Sequence, residues 1–318
     1  MSKKFDALDR RIIGALQING RASWKTIAEV LGEPLRTVSR RGNELLQSRL
    51  VSVVGLAHYG YTSVIEVECD PLKMREAALS VSRYPGIVFA YVLASPSRLM
   101  VEAQQAETSV AALVHEAIPA IDGVREVSAS PVLHYFRTVA GWHPSLLSEA
   151  ETTRLASAVP RVEPGEPEFP PSETDRRLIE LLVTDGRASL TELADAANLS
   201  QPTARRRLRS LLEEGFVSVR AIVDPVPLGF PVEAMLWIQV PPSSVMWVGQ
   251  MIAEEPAVRY AVMLMGEFQI LVHVNMRSLE HLRVFLTDSE WASTVLTVKT
   301  SLVTTPFMRG GVPVRGDS

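Results

Sequence analysis

A single cysteine, Cys69, leaves no partner for an intrachain disulfide and too few thiolates for a multi-cysteine zinc site. A buried, unreactive thiol is its expected state. No apolar run approaches the roughly 20 residues needed to cross a bilayer, so no membrane association is expected. The opening Met-Ser-Lys-Lys-Phe-Asp is charged, with no apolar stretch or small-residue cleavage site behind it, which predicts a cytoplasmic protein. His58, His115, His134, His143, His273 and His281 show no metal-ligand spacing, and Walker loops, dinucleotide fingerprints and nucleophile motifs are missing. Neither a metal, a cofactor nor a catalytic residue is therefore expected. The formal net charge of −4 excludes a protein that coats nucleic acid through a general positive excess.

Charge is nonetheless uneven. Within residues 1–60, Lys and Arg at 3, 4, 10, 11, 21, 25, 36, 40, 41 and 49 outnumber the acids by about five. The chain also repeats itself. Asp9 aligned on Asp175 starts a gapless register that runs to Val53 on Val219, with about 18 of 45 positions identical. The shared text includes Asp-Arg-Arg at 9–11 and 175–177, Gly-Arg-Ala-Ser at 20–23 and 186–189, and Val-Ser-Val at 51–53 and 217–219. A length of 318 residues is long for one compact domain, and duplication divides it naturally.

In the second copy Leu178, Leu181 and Leu182 have helical spacing, and Asp185-Gly186 ends that helix. Ser189 with Glu192 forms a capping box for a second helix. Ser200 caps a third, which accepts Pro202 in its first turn and stops at Gly215. Three short helices with a tight turn between the last two make a helix-turn-helix, and Phe216 to Val223 is expected to supply a wing. The third helix is then the reading helix. Its arginines suit guanine and phosphate, and its Ser, Thr and Gln suit phosphates or base edges. The expected contacts with double-stranded DNA are Ser200, Gln201, Thr203, Arg205, Arg206 and Arg209, with Arg36, Thr37, Ser39, Arg40 and Arg41 in the first copy.

Both copies resemble the Lrp/AsnC (feast/famine) regulators, whose heads read Gly-Arg-x-Ser, then Leu-Ala, then Ser-x-x-Thr-x-x-x-Arg. The second copy supplies Gly186-Arg187-Ala188-Ser189, Leu193-Ala194, Ser200-x-x-Thr203 and Arg206-Arg207. The first keeps Gly20-Arg21-Ala22-Ser23, Ile27-Ala28, Thr37 and Arg40-Arg41, but has Pro34 for the capping serine, Arg49 for Gly215, and Gly42 inside its reading helix. A mid-helix glycine and a lost cap each cost about 1 kcal/mol, which predicts a weaker first head.

After each head the texture changes to short apolar strands alternating with helices. The fold expected is α+β: a tandem repeat of a winged helix-turn-helix followed by a ferredoxin-like βαββαβ domain, twice. Strands are expected at 63–68, 87–93, 99–103 and 124–133 with helices at 73–83 and 108–118. In the second copy they are expected at 234–240, 258–264, 270–274 and 297–303 with helices at 245–255 and 279–288. The divisions are a first head at 1–58, a first sensing domain at 59–137, a helical segment (144–158) and Pro-rich linker within 138–172, a second head at 173–226, a second sensing domain at 227–305 and a loose tail at 306–318. The resemblance implies that the hairpin between the second and third strands, typically Gly-x-Tyr-Asp, binds small effectors such as amino acids between subunits. Here it reads Gly266-Glu267-Phe268-Gln269, and Met265 through Gln269 with Thr300 and Ser301 are the expected effector residues. Ser95-Pro96-Ser97-Arg98 lacks that motif, and a neutral Gln269 offers an ammonium less than aspartate does.

A duplicated chain is expected to pair its own two halves, as an intrachain pseudo-dimer or within a homo-oligomer. The reading is thus an effector-responsive, sequence-specific DNA-binding regulator. Two alternatives stand beside it. One is a metabolite-sensing co-regulator with little DNA binding. The other is an enzyme like the sirohaem decarboxylases, which resemble the same two-part fold. That resemblance demands a His- and Arg-bearing strand followed by Asn-Leu-Trp-Phe, and neither 89–103 nor 260–274 contains it.

Overall fold

A computed structural model of the chain describes residues 5–105, 109–160 and 170–314. It comprises two compact units. One is built from the residues up to Tyr59 with His143–Leu228, the other from Gly60–Trp142 with the residues from Gly229 on. The duplication is therefore sorted by type, heads with heads and sensing domains with sensing domains.

In the head unit, α1 (Ala7–Ile18), α2 (Trp24–Leu31) and α3 (Leu35–Gln47) precede strand β1 (Val51–Ala57). Ser23 caps α2 by accepting from the Thr26 N–H, whereas Pro34 gives α3 no side-chain cap. Ile12, Ile13, Leu16, Ile27, Val38 and Leu45 form the buried core of this head. Arg49, where the second copy has glycine, adopts φ 55, a left-handed conformation that costs an L-residue about 1–2 kcal/mol.

The sensing unit opens with β2 (Tyr61–Cys69), α4 (Met74–Val81), β3 (Ile87–Ala94) and β4 (Ser97–Gln105). Helical segment α5 starts at Ser109 and continues as a π-helix over Leu113–Ala117; Thr108, the expected first residue of this helix, lies outside the described residues. Strand β5 (Val124–Arg137) completes the first βαββαβ set. The chain then returns to the head unit through α6 (Glu149–Ala156), shorter than expected. Leu146 and Leu147 pack against Gly14, and Glu151 accepts from Arg11 at 2.6 Å, so this segment braces the first head. Most of the expected linker, residues 161–169, lies outside the described residues.

The second head has α7 (Glu173–Thr184), α8 (Leu190–Ala197), α9 (Gln201–Glu213) and β6 (Val217–Val223). Its caps are complete: Ser189 and Glu192 close a capping box, and Ser200 accepts from the Thr203 N–H. Strand β6, expected as a wing, finds its partner in the other copy. It pairs antiparallel with β1, Val51 opposite Val223 and Ala57 opposite Val217, with the repeat mates Val54 and Arg220 facing each other at the centre. Only a two-fold relation between the heads gives that register.

The second sensing set runs β7 (Val232–Gln239), α10 (Val245–Glu254), β8 (Val258–Leu264), β9 (Ile270–Met276), α11 (Leu279–Thr287), β10 (Thr297–Arg309) and a short β11 (Val312–Pro313). Eight strands join as β10-β3-β4-β2-β5-β8-β9-β7, and β7 pairs back to β10, closing the sheet and removing its free edges. The symmetry recurs: Val132 pairs with Leu264 and Val303 with Leu93, two pairings 171 positions apart. Apolar side chains from both copies, among them Phe89, Tyr91, Met100, Trp237 and Val262, fill the interior, while the helices of each copy cover their own stretch of the outer face.

The tail departs from its expected looseness. The expected loose segment 306–318 is strand as far as Arg309 and again at Val312–Pro313, and its last four residues lie outside the described ones. Phe307 and Met308 are buried in the first copy's helical layer, and Phe136 enters the second copy's layer against Gly249. The apolar pair, not the neighbouring Pro306 and Gly310-Gly311, decides the conformation.

Candidate DNA-reading and ligand-binding sites

The Gly-Arg-Ala-Ser stretches do more than lead into α2 and α8. Arg21 donates to the carbonyls of Gly186 and Ala188 at 2.6 and 2.8 Å, and Arg187 donates to those of Gly20 and Ala22 at 2.7 and 3.1 Å. The backbones come close enough that Gly20 N–H bonds Val219 and Gly186 N–H bonds Val53, with no room for a Cβ at either glycine. The repeated motif thus holds the two heads together reciprocally, a role its sequence did not announce.

Each reading helix buries one face and offers the other. In α3, Val38, Gly42 and Leu45 are buried, leaving Arg36, Arg40 and Asn43 outward. In α9, Ala204, Leu208 and Leu211 are buried, leaving Gln201, Arg205, Arg206 and Arg209 exposed and Thr203 half-buried. Gly42 is not a defect. A Cβ there would lie 2.4 Å from the Trp24 ring, and the repeat mates of Trp24 and Gly42 are Leu190 and Leu208. One copy fills this contact with a large and a small residue, the other with two of middle size. Arg187 stacks over the same Trp24 ring at 4.7 Å.

The expected DNA contacts divide by what else they hold. Arg205, Arg206 and Arg209 form no ion pair among the described residues. Arg40 is bonded to Glu44 at 2.7 Å, and Arg41 is bonded to Asp6 and Asp9, which fastens α3 to the start of α1. Arg41 thus shares its charge with two carboxylates of the same head, whereas the second head's three arginines have none beside them among the described residues. Arg36 is exposed and Thr37 and Ser39 are half-exposed; Ser200 is exposed and shares a hydrogen bond with Thr203.

The expected effector residues fall in two places. The loop after β8 docks on the first copy, where Met265 N–H bonds the Pro131 carbonyl and Gly266, at φ 143, stands beside Ser130. Met265 and Glu267 are exposed and Phe268 packs against the closed sheet's interior. Gln269 is spent on the loop itself: its oxygen accepts from Val240 N–H and its amide donates to Gly266 and Glu267. These three bonds hold the turn in shape. Thr300 and Ser301 are not at this corner. Ser301 is buried and accepts from Ser95 N–H at 2.9 Å, at the symmetry-related corner formed by the hairpin after β3. The Ser95–Ser97 turn at this second corner is itself exposed.

Inside the closed sheet lies a polar band that the sequence did not reveal. Arg309 and Glu233 are paired by two bonds of 2.5 and 2.6 Å, and Glu233 also meets His273 at 2.7 Å. Burial alone would push Glu233 up, but the charge of Arg309 and the bonds from Arg309 and His273 hold it well below the usual carboxylate range. Burial lowers His273 despite that carboxylate. Tyr91 packs between the rings of Phe89 and His273, Phe89 meets Tyr260 edge-on, and Glu102 lies beside Tyr260. Burial raises Glu102 to about 7, the nearby Tyr260 hydroxyl opposing it.

The profile of the AsnC-type helix-turn-helix domain matches residues 5–46, that of winged helix-turn-helix DNA-binding domains matches 171–218, and that of the Lrp/AsnC ligand binding domain matches 233–312. The HTH-type transcriptional regulator AldR of Mycobacterium tuberculosis is 30% identical over 172 residues, 52% of this chain and 93% of that protein. An uncharacterized HTH-type transcriptional regulator of Pyrococcus abyssi is 30% identical over 117 residues, 36% of this chain and 74% of its own length. The chain belongs to the Lrp/AsnC family of transcription regulators.

For this Lrp/AsnC chain the general function follows: a DNA-binding regulator that responds to a small effector through its α+β domains. Its two-unit fold is also that of the siroheme decarboxylase NirDL, with a TM-score of 0.61 over 96% of this chain and 93% of that one, at 14% identity. The likeness is one of fold. Among the described residues no helix is long and apolar enough to cross a membrane.

Proposed function

We propose that one polypeptide of this Lrp/AsnC regulator acts as its own dimer, laying α3 and α9 in the major groove of a single operator. The observation that carries this reading is the β1–β6 register centred on Val54 and Arg220, reinforced by the reciprocal Arg21 and Arg187 bonds. Two-fold pairing of heads is what helix-turn-helix proteins use to reach two half-sites about 34 Å apart. Arg205, Arg206 and Arg209 carry most of the phosphate and base contact, with Gln201 and Thr203 at the start of the helix. Arg36, Thr37, Ser39 and Arg40 form the weaker first surface.

The effector, an amino acid or related metabolite, sits at the open corner of Met265, Gly266, Glu267 and Phe268 beside Ser130. The Glu267 carboxylate is the group there that pairs with an ammonium, and the other corner, Ser95-Pro96-Ser97-Arg98, offers no carboxylate to do so. The protein works by binding, not by catalysis. Its one deeply buried histidine in the closed sheet, His273, is already held by Glu233 and packed on Tyr91.

Binding to fragmented DNA across a salt series tests this reading, with Arg205→Ala/Arg206→Ala and Arg36→Ala/Arg40→Ala as comparisons. Selective binding that the first pair abolishes and the second weakens supports it. Binding without selectivity, unaffected by either pair, refutes it and turns attention to tetrapyrrole substrates.

A further inference from the structure

The two-fold pairing of the heads has a consequence for what they read. Symmetric heads place repeat-equivalent side chains over equivalent bases of the two half-sites, so identical side chains call for a palindrome. At the outward positions the chains differ. Leu35 stands where the second head has Gln201, Arg36 where it has Pro202, Ser39 where it has Arg205, and Asn43 where it has Arg209. Even the shared pair Arg40 and Arg206 is unequal. Arg40 is neutralised by Glu44 one turn on, and the repeat mate of Glu44 is Ser210, which bonds Glu214 and leaves Arg206 unopposed. The second surface presents three arginines without ion pairs among the described residues. The first presents one, Arg36, with an exposed amide at Asn43 and an exposed aliphatic side chain at Leu35.

We infer that the operator is built from two unlike half-sites: a guanine-bearing half under α9 and an adenine/thymine half under α3. The inference rests on the DNA-reading function proposed above and adds what is read. An arginine fork matches the N7 and O6 acceptors of guanine, an asparagine amide matches the N7 and N6 of adenine, and an aliphatic side chain matches the thymine methyl. The fixed pairing of β1 with β6 makes the inequality permanent, since both heads belong to one chain and neither can be exchanged for a second copy of the better one. Arg36 supplies phosphate contact at the start of α3, where Pro202 has no polar side chain to offer.

Selection of tight binders from randomised duplexes by the intact chain tests this directly, followed by single-base substitution along the selected site. The expected site is non-palindromic. Replacing a contacted guanine in one half lowers affinity by about 5- to 150-fold, and Arg205→Ala/Arg209→Ala removes that discrimination while leaving the other half's preference in place. A converse variant, Ser39→Arg/Asn43→Arg/Glu44→Ser, gives the first head the second head's surface and shifts the selected site toward a palindrome of guanine-bearing halves. Asn43 and Glu44 are exposed and Ser39 is half-exposed on α3, and melting of the variant at the parent's temperature checks that folding is preserved. A palindromic site selected by the parent chain overturns the inference, as does a double arginine variant that weakens both halves alike. Selection that enriches no sequence at all refutes DNA reading itself, which separates the failure of the proposed function from the failure of this extension.

Discussion

Replacing Gly42 by alanine tests the packing argument for the first head, because the sign of its effect should depend on one neighbour. In a helix interior alanine is better than glycine by about 1 kcal/mol. In this protein the new Cβ would lie 2.4 Å from two carbons of the Trp24 ring, about 1 Å inside ordinary contact, and overpacking of that kind costs about 1–3 kcal/mol. The ring cannot swing aside freely, because Arg187 of the other head stacks on it at 4.7 Å and itself bonds Gly20 and Ala22. Overpacking therefore outweighs propensity, and Gly42→Ala should destabilise the first head by about 1 kcal/mol. In a Trp24→Leu background, which restores the residue found in the second copy, the same change should stabilise by about 1 kcal/mol. Amide hydrogen exchange along α3 reads the first head by itself, and the double-mutant cycle should give a coupling of about 2 kcal/mol. If Gly42→Ala stabilises α3 in both backgrounds, the glycine is a plain helix defect and the packing account is wrong.

Three further outcomes follow from the same reasoning. Glu102 is raised to about 7 in the folded protein from an ordinary 4.5, so the folded state holds more protons than the unfolded one between those values and the sensing unit loses stability as pH rises through that window. Glu102→Gln should leave stability near pH 4.5 unchanged and raise it by up to about 3 kcal/mol at pH 8, measured by denaturant unfolding at the two pH values; a variant that stabilises equally at both would contradict the assignment. Phe307→Ala removes a ring buried in the first copy's helical layer and should cost about 3–5 kcal/mol, with exchange protection lost in α4 before α10. Arg187→Ala leaves two carbonyls of the first head without their charged donor, a loss of about 1.5–3 kcal/mol per bond at most; the expected readout is weakened binding to two-half-site DNA with unchanged binding to a single half-site.

Much of this was legible in the sequence because it was written twice. The gapless alignment of Asp9 on Asp175 located both heads, and capping serines such as Ser189 and Ser200 placed the helix starts where the backbone confirms them. What a one-dimensional pattern cannot show is which copy a strand pairs with. Phe216 to Val223 is expected as a wing because a short β-prone run after a reading helix is locally consistent with one, and what the run does not show is that its pairing partner lies 166 positions upstream in the other copy. The sensing halves hid their symmetry for a related reason: their equivalence runs at 171 positions, five more than the heads, and survives in register and in Phe136 and Phe307 rather than in a run of identical letters. The candidate ligand corner was half visible. Gly266 and Phe268 stand where the hairpin motif puts them, whereas Gln269's bonds to Val240, Gly266 and Glu267 depend on loop shape, and Ser301 lies at the symmetry-related corner, against Ser95, which spacing along the chain does not show. The buried Glu233–Arg309–His273 cluster joins residues from three strands of one copy, with Tyr91 from the other, and no spacing rule connects them.

In the proposed pairing, one chain supplies both reading helices of one operator. The most direct measurement is the mass of the complex formed between the intact protein and a duplex carrying one selected site, by native mass spectrometry or sedimentation, together with a footprint of the same complex. One chain per site with both half-sites protected is the predicted result. It should hold per site even where chains assemble further, because each chain brings its own pair of heads. Two chains per site, or protection of a single half-site by one chain, would contradict the account.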